Sequence, residues 1–114
     1  MKVAIIVPCY NEAKRLKINM FSDYLLCNNH IHFIFVDDGS TDNTSLIIND
    51  LKSKFKNQVS LLKNEGNKGK AESVRLGVHK SYELNSDFIG FLDADLAAPI
   101  EEIDNLLSVV KSNS

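Results

Sequence analysis

Asp93, Ala94 and Asp95 follow the apolar run Phe88-Ile89-Gly90-Phe91-Leu92. Two carboxylates one residue apart at the mouth of a strand can share a hard divalent cation, because Mg²⁺ and Mn²⁺ prefer oxygen ligands and keep coordination sites open for phosphate oxygens. Like charges at such range repel, and a bound cation removes that repulsion while neutralising a diphosphate leaving group. The chemistry these residues suit is transfer of a group off a nucleoside diphosphate, with Mg²⁺ or Mn²⁺ as cofactor. An acidic triplet also serves as a strand end with helix-capping aspartates. Its meaning depends on its neighbours.

Three further polar clusters each follow an apolar run. In Pro8-Cys9-Tyr10-Asn11-Glu12, Tyr10 could flank a base and Glu12 could contact it; the plainer reading is a helix start with Asn11 as cap. In Asp37-Asp38-Gly39-Ser40-Thr41-Asp42, acidic residues ending a strand are placed to accept hydrogen bonds from a ribose or a base N–H, although a turn and cap use the same residues. In Asn64-Glu65-Gly66-Asn67-Lys68-Gly69-Lys70, the glycines allow a tight turn, while Lys68, Lys70 and free amides at a helix start offer positive potential to a phosphate. A solvated basic turn is the alternative there, and the spacing is not that of a Walker loop.

These clusters need a scaffold that gathers them. β-Branched runs at 3–7, 32–36, 59–62 and 88–92 alternate with stretches of helical period, the pattern of βαβ units around a parallel sheet. Each run is apolar over most of its length, as a strand covered on both faces must be. The intervening periods predict helices over 12–26, with Leu16, Met20, Tyr24 and Leu25 inward, and over 42–55, with Ile47, Ile48, Leu51 and Phe55 inward and Thr41 or Asp42 as cap. A third helix over 70–82 is expected to bury Val74, Val78 and Tyr82. A fourth, from Pro99, carries Glu101 and Glu102 in its first turn and an inward stripe of Ile103, Leu106, Leu107 and Val110. Right-handed crossovers favour a doubly wound order of 3-2-1-4, with helices on both faces. All four clusters then meet at one sheet edge, where the order reverses and ligands bind.

At 114 residues, with no repeat or linker, 1–114 reads as one unit. An apolar fraction of 44% and a charged fraction of 25% are those of an ordinary globular protein, and a net charge of −2 argues against a nucleic-acid partner held by bulk electrostatics. No stretch approaches the roughly 20 apolar residues of a membrane span. Met1-Lys2 leads directly into a strand-like run ending at Pro8, so no signal peptide is read and a cytoplasmic location is expected. Cys9 and Cys27 form no CxxC pair and are read as reduced structural thiols, while His30, His32 and His79 lack zinc spacing. A phosphoacceptor signalling domain would carry its acidic pair after the first strand, where this chain has Pro8-Cys9-Tyr10.

Val7-Pro8-Cys9-Tyr10-Asn11-Glu12, Val36-Asp37-Asp38-Gly39-Ser40-Thr41-Asp42, Asn67-Lys68-Gly69-Lys70 and Asp93-Ala94-Asp95, in this order, resemble the family 2 glycosyltransferases of GT-A fold. The run from Asp93 to Ile103 is most similar to the polyprenyl-phosphate sugar transferases, especially dolichyl-phosphate β-glucosyltransferases. The resemblance implies a nucleotide-sugar donor, commonly UDP-glucose, a lipid-phosphate acceptor, and inversion at the anomeric carbon. It places Pro8, Tyr10, Glu12 and Asp38 around the uridine with Asp37 nearby, Lys70 near the donor, and Asp93 and Asp95 on the ribose and metal, Asp95 as the direct ligand. Ala71 stands where many relatives have a second glycine, and Ala98 where the glucosyl subgroup has threonine. Related mannosyl enzymes can carry a polar metal ligand at the position of Ala97.

The same resemblance places the acceptor site and the general base beyond Ser114, so the chain is expected to supply donor binding and to be inactive alone; a binding module without turnover is the alternative. The full-length protein is expected at the cytoplasmic membrane face. The fourth strand is expected to be a sheet edge, and copies are expected to self-associate through that exposed edge or an apolar patch.

Overall fold

The computed structural model describes residues 2–95 together with residues 100 and 103. The apolar runs form β1 (Val3–Cys9), β2 (Ile31–Asp37), β3 (Val59–Lys63) and β4 (Phe88–Phe91). Between them lie α1 (Ile18–Cys27), α2 (Thr44–Lys54) and α3 (Lys70–Glu83). All strand pairs are parallel and the order is β3-β2-β1-β4, as the alternation predicts. The ladder continues past the strand ends: Asp38 N–H donates to Cys9 O, Asn64 N–H to Asp37 O and Leu92 N–H to Ile6 O. The segments carrying all four polar clusters thus leave the sheet at one edge.

Alternation along β1 and β2 sorts the core into two layers. Val3, Ile5, Val7, Phe33 and Phe35 face the layer that holds α1 and α2, and Ala4, Ile6, Ile34 and Val36 face the layer of α3. Phe21 of α1 meets Phe33 and Phe35 edge-on, with ring centroids 5.1 and 5.3 Å apart, the orientation that aromatic quadrupoles favour. Ile100 and Ile103 are buried in the same layer; the rest of the predicted fourth helix lies outside the described residues. No helix among the described residues is long and apolar enough to cross a membrane.

Three local expectations are corrected. α1 begins at Ile18 rather than residue 12, because the preceding segment is tied to the loop after β2: Glu12 N–H donates to Thr44 Oγ1 at 2.9 Å and Ala13 N–H to Asp42 Oδ2 at 3.2 Å. Leu16 therefore precedes the helix, Met20 turns outward, and Phe21, Tyr24 and Leu25 form the buried face. At α2 it is Asp42, not Thr41, that accepts the Thr44 N–H, at 3.0 Å, while Thr41 N–H donates to Asn11 Oδ1. α3 buries Ser73, Gly77 and Ser81 most deeply, Val74 and Val78 are half-buried with Val78 packed against the sheet, and Tyr82, expected inward, is 67% exposed. The cause is close approach: a Cβ on Gly77 would stand 2.5 Å from Ile6 Cγ2, so the line of α3 nearest the sheet takes small residues while Leu76 and Val78 pack beside it. Cys9 is buried as expected, whereas Cys27, at the end of α1, is exposed. Among the described residues β4 is the outermost strand on its side of the sheet, with Phe88 and Phe91 exposed.

Candidate functional site

A cavity of about 340 Å³ opens where the strand order reverses. The end of β1 gives it Pro8 and Cys9, the loop after it Tyr10 and Glu12, and Asp38 follows β2; the loop before α3 adds Asn67 and Gly69, α3 itself Lys70 and Ser73, and Asp93, Ala94 and Asp95 follow β4. Of the residues read from sequence, Pro8, Tyr10, Glu12, Asp38, Lys70, Asp93 and Asp95 are all brought together here. Asp37 is not among the walls. It is buried, and its Oδ1 accepts the Ser40 N–H at 3.0 Å, which shapes the turn below the site.

Asp38 organises one wall. Its Oδ1 accepts Asn64 Nδ2 at 2.8 Å and Lys68 N–H at 2.7 Å, and its Oδ2 accepts Gly69 N–H at 2.9 Å. Burial pushes this carboxyl upward, but the hydrogen bonds from Lys68, Asn64 and Gly69 outweigh it and hold the group below its ordinary value. The amides of Lys68 and Gly69, just before α3, are thus taken by Asp38 itself and do not face a phosphate. The same contact fixes the loop between β3 and α3. Gly39 and Gly66, both at positive φ, let the loops after β2 and β3 touch backbone to backbone, where a Cβ on Gly39 would run into Gly66.

Tyr10, also lining the cavity, is 43% exposed. Arg15 Nε lies 3.0 Å from Glu12 Oε2 as a charge partner. That buried oxygen nonetheless has no hydrogen-bond donor among the described residues. Cys9 closes the floor; burial first, then the charges of Asp37 and Glu12, push its thiol far up, so it is a neutral wall rather than a nucleophile. At the other end Lys70 Nζ stands 3.7 Å from Asp93 Oδ1, with both side chains largely exposed. Asn64, Asn67 and Ser73 were not singled out by sequence reasoning. Ser73 was hidden because its face of α3 carries no apolar period, and Asn64 because its partners lie in distant segments.

No group of three or more His, Cys, Asp and Glu side chains that could hold a metal gathers among the described residues. The acidic wall offers Asp93 and Asp95, a set of hard oxygen donors. That fits Mg²⁺ or Mn²⁺, which take one or two carboxylates and complete their shells with phosphate and water. Beyond Asp93 a second cleft of about 470 Å³ shares Pro8, Lys70 and Asp93 with the first and continues along Val74, Phe91 and Leu92. The two are contiguous.

A parallel sheet of this order, with acidic and basic groups at its reversal point, is a doubly wound arrangement that binds ligands at the switch point, and residues 1–349 of S. aureus TarS superpose on it with a TM-score of 0.79 at 23% identity, covering 98% of this chain and 33% of that one, which shows a GT-A-like fold. The family model for glycosyl transferase family 2 matches residues 4–114, and the chain belongs to that family. It is 32% identical to the UDP-N-acetylglucosamine–dolichyl-phosphate N-acetylglucosaminyltransferase of Methanococcus voltae, over 98% of this chain and 48% of the relative. It is 34% identical to the dolichol-phosphate mannosyltransferase of Pyrococcus furiosus, over 100% of this chain and 31% of that protein. Among solved structures, a mannosyltransferase from Pyrobaculum calidifontis in complex with GDP-Man and Mn²⁺ superposes with a TM-score of 0.69 at 22% identity, covering 86% of this chain and 33% of that one. The chain spans half or less of the length of the curated relatives it matches.

Proposed function

We propose that this chain holds a nucleotide-sugar donor, a UDP-sugar such as UDP-glucose, for inverting transfer to a lipid phosphate. The observation that carries the reading is convergence: the exposed Tyr10, the Glu12 carboxylate paired in charge with Arg15, the buried Asp38, a lysine and two further acidic residues from separate segments line one cavity. Tyr10 and Pro8 flank the base, Glu12 Oε2 accepts a hydrogen bond from the nucleoside, and Asp38 accepts one while holding its loop. Asp37 supports that wall from behind. Lys70 meets the diphosphate. Asp93 reaches the ribose and, with Asp95, holds Mg²⁺ or Mn²⁺, Asp95 being the direct ligand. The cation, when bound, supplies neutralisation of the diphosphate leaving group.

Support for a lipid-phosphate acceptor comes from the names of both curated relatives and from the apolar cleft that adjoins the donor cavity at Lys70. One end of such an acceptor is anionic and the other apolar, which matches a lysine beside Val74, Phe91 and Leu92. No residue of this chain is assigned as the general base.

Calorimetry with UDP, UDP-glucose and GDP-mannose, each with and without Mn²⁺, tests the donor and metal roles. UDP-glucose is expected to bind more tightly with Mn²⁺, and Asp95→Ala to weaken that metal-dependent binding by about tenfold or more, ~1.4 kcal/mol. Binding that is indifferent to both Mn²⁺ and the substitution contradicts the metal role, and a preference for GDP-mannose contradicts the donor.

A further inference from the structure

Lys70 and Asp93 reach the cavity from different elements, one opening α3 and the other following β4, and their charged atoms lie 3.7 Å apart. Both side chains are exposed, at 73% and 65%, so the pair is held by charge rather than by packing. Such surface pairs are weak and readily exchanged. The two partners have complementary uses in the site: an ammonium suits a diphosphate, and a carboxylate suits a divalent cation.

From this we infer that Lys70 is a stand-in counter-ion. It neutralises Asp93 while the site is empty, then yields Asp93 to the cation and turns to the diphosphate when donor and cation arrive together. The inference rests on the donor-site reading above and adds an order to it. Metal alone must displace Lys70 from Asp93 and binds weakly. Nucleotide gives the displaced ammonium a new partner, so nucleotide and metal each raise the other's affinity, by the same factor in both directions. Lys70 is in this sense a positioning residue: it couples two ligands and weakens binding of bare metal by the small worth of one surface ion pair.

The test is equilibrium binding of Mn²⁺ by electron paramagnetic resonance, with and without UDP, to the wild-type chain, Lys70→Met and Lys63→Met. Lys63 ends β3 and is exposed; its substitution removes an equal charge away from Asp93. Without UDP, Lys70→Met should bind Mn²⁺ about threefold more tightly than wild type, the scale of one surface ion pair, while Lys63→Met should not. Addition of UDP should raise Mn²⁺ affinity less in Lys70→Met than in wild type. In a chain that already carries Asp93→Asn, Lys70→Met should no longer tighten Mn²⁺ binding. Mn²⁺ binding that Lys70→Met fails to tighten, or tightens no more than Lys63→Met does, overturns the exchange alone. Absence of Mn²⁺ binding from every protein, with and without UDP, overturns the donor-site reading and the exchange with it.

Discussion

Asp38 shows how one carboxylate can build a site wall as well as face it. Three donors from the loop between β3 and α3 converge on it, and the residue is only 5% exposed. Asp38→Asn keeps the shape but turns one acceptor into a donor, leaving a loop N–H unmet. The expected loss is about 1–3 kcal/mol of unfolding free energy. Because the folded carboxyl lies below its ordinary value of 3.8, its stabilisation is full above that pH and is lost as pH falls through the folded value. Urea unfolding of both proteins should therefore show a constant difference above about pH 4 that shrinks on further acidification. A difference unchanged down to about pH 2 would mean that the charge is not what holds the loop. The sequence showed that Asp38 ends a strand in acidic company, but not that its partners would include backbone amides about 30 residues away.

Element packing explains which parts of the fold were readable. A strand buried on both faces must be apolar throughout, so β1 and β2 announced themselves and their parallel order followed from the crossovers. α2 was legible for a similar reason, since Ile48 and Leu51 carry its buried face. α3 was not. Its inner face is Ser73, Gly77 and Ser81, chosen for closeness to the sheet rather than for apolarity, and closeness leaves no mark in a hydrophobic period. The start of α1 was missed because its preceding residues spend their N–H groups on side chains of the loop after β2, contacts between segments about 30 residues apart. Gly77→Ala tests the packing of α3. Helix propensity alone favours alanine by about 1 kcal/mol, whereas overpacking costs about 1–3 kcal/mol. Ile6 is fully enclosed and cannot yield, so a net loss of up to about 2 kcal/mol is expected in urea unfolding. A gain in stability would show that α3 stands further from β1 than described.

At the scale of the whole molecule, parallel strands gather chemistry at one end and leave the other to plain connections. Residues that could bind a nucleotide, a diphosphate and a cation all follow strand C-termini, and the turns bearing Asn28, Asn57 and Asn85 precede the strand N-termini. Membership in glycosyl transferase family 2 is fixed by the match over residues 4–114; which end of the sheet takes the donor is a physical claim about this chain. The direct measurement is a two-dimensional ¹⁵N–¹H spectrum of the labelled protein, titrated with UDP and then with Mn²⁺. The predicted result is that UDP shifts the amides of Tyr10, Gly69, Lys70 and Ala94, and that Mn²⁺ then broadens those of Asp93 to Asp95. Shifts centred on Asn28, Asn57 and Asn85, or no shifts at saturating UDP with Mn²⁺, would contradict it.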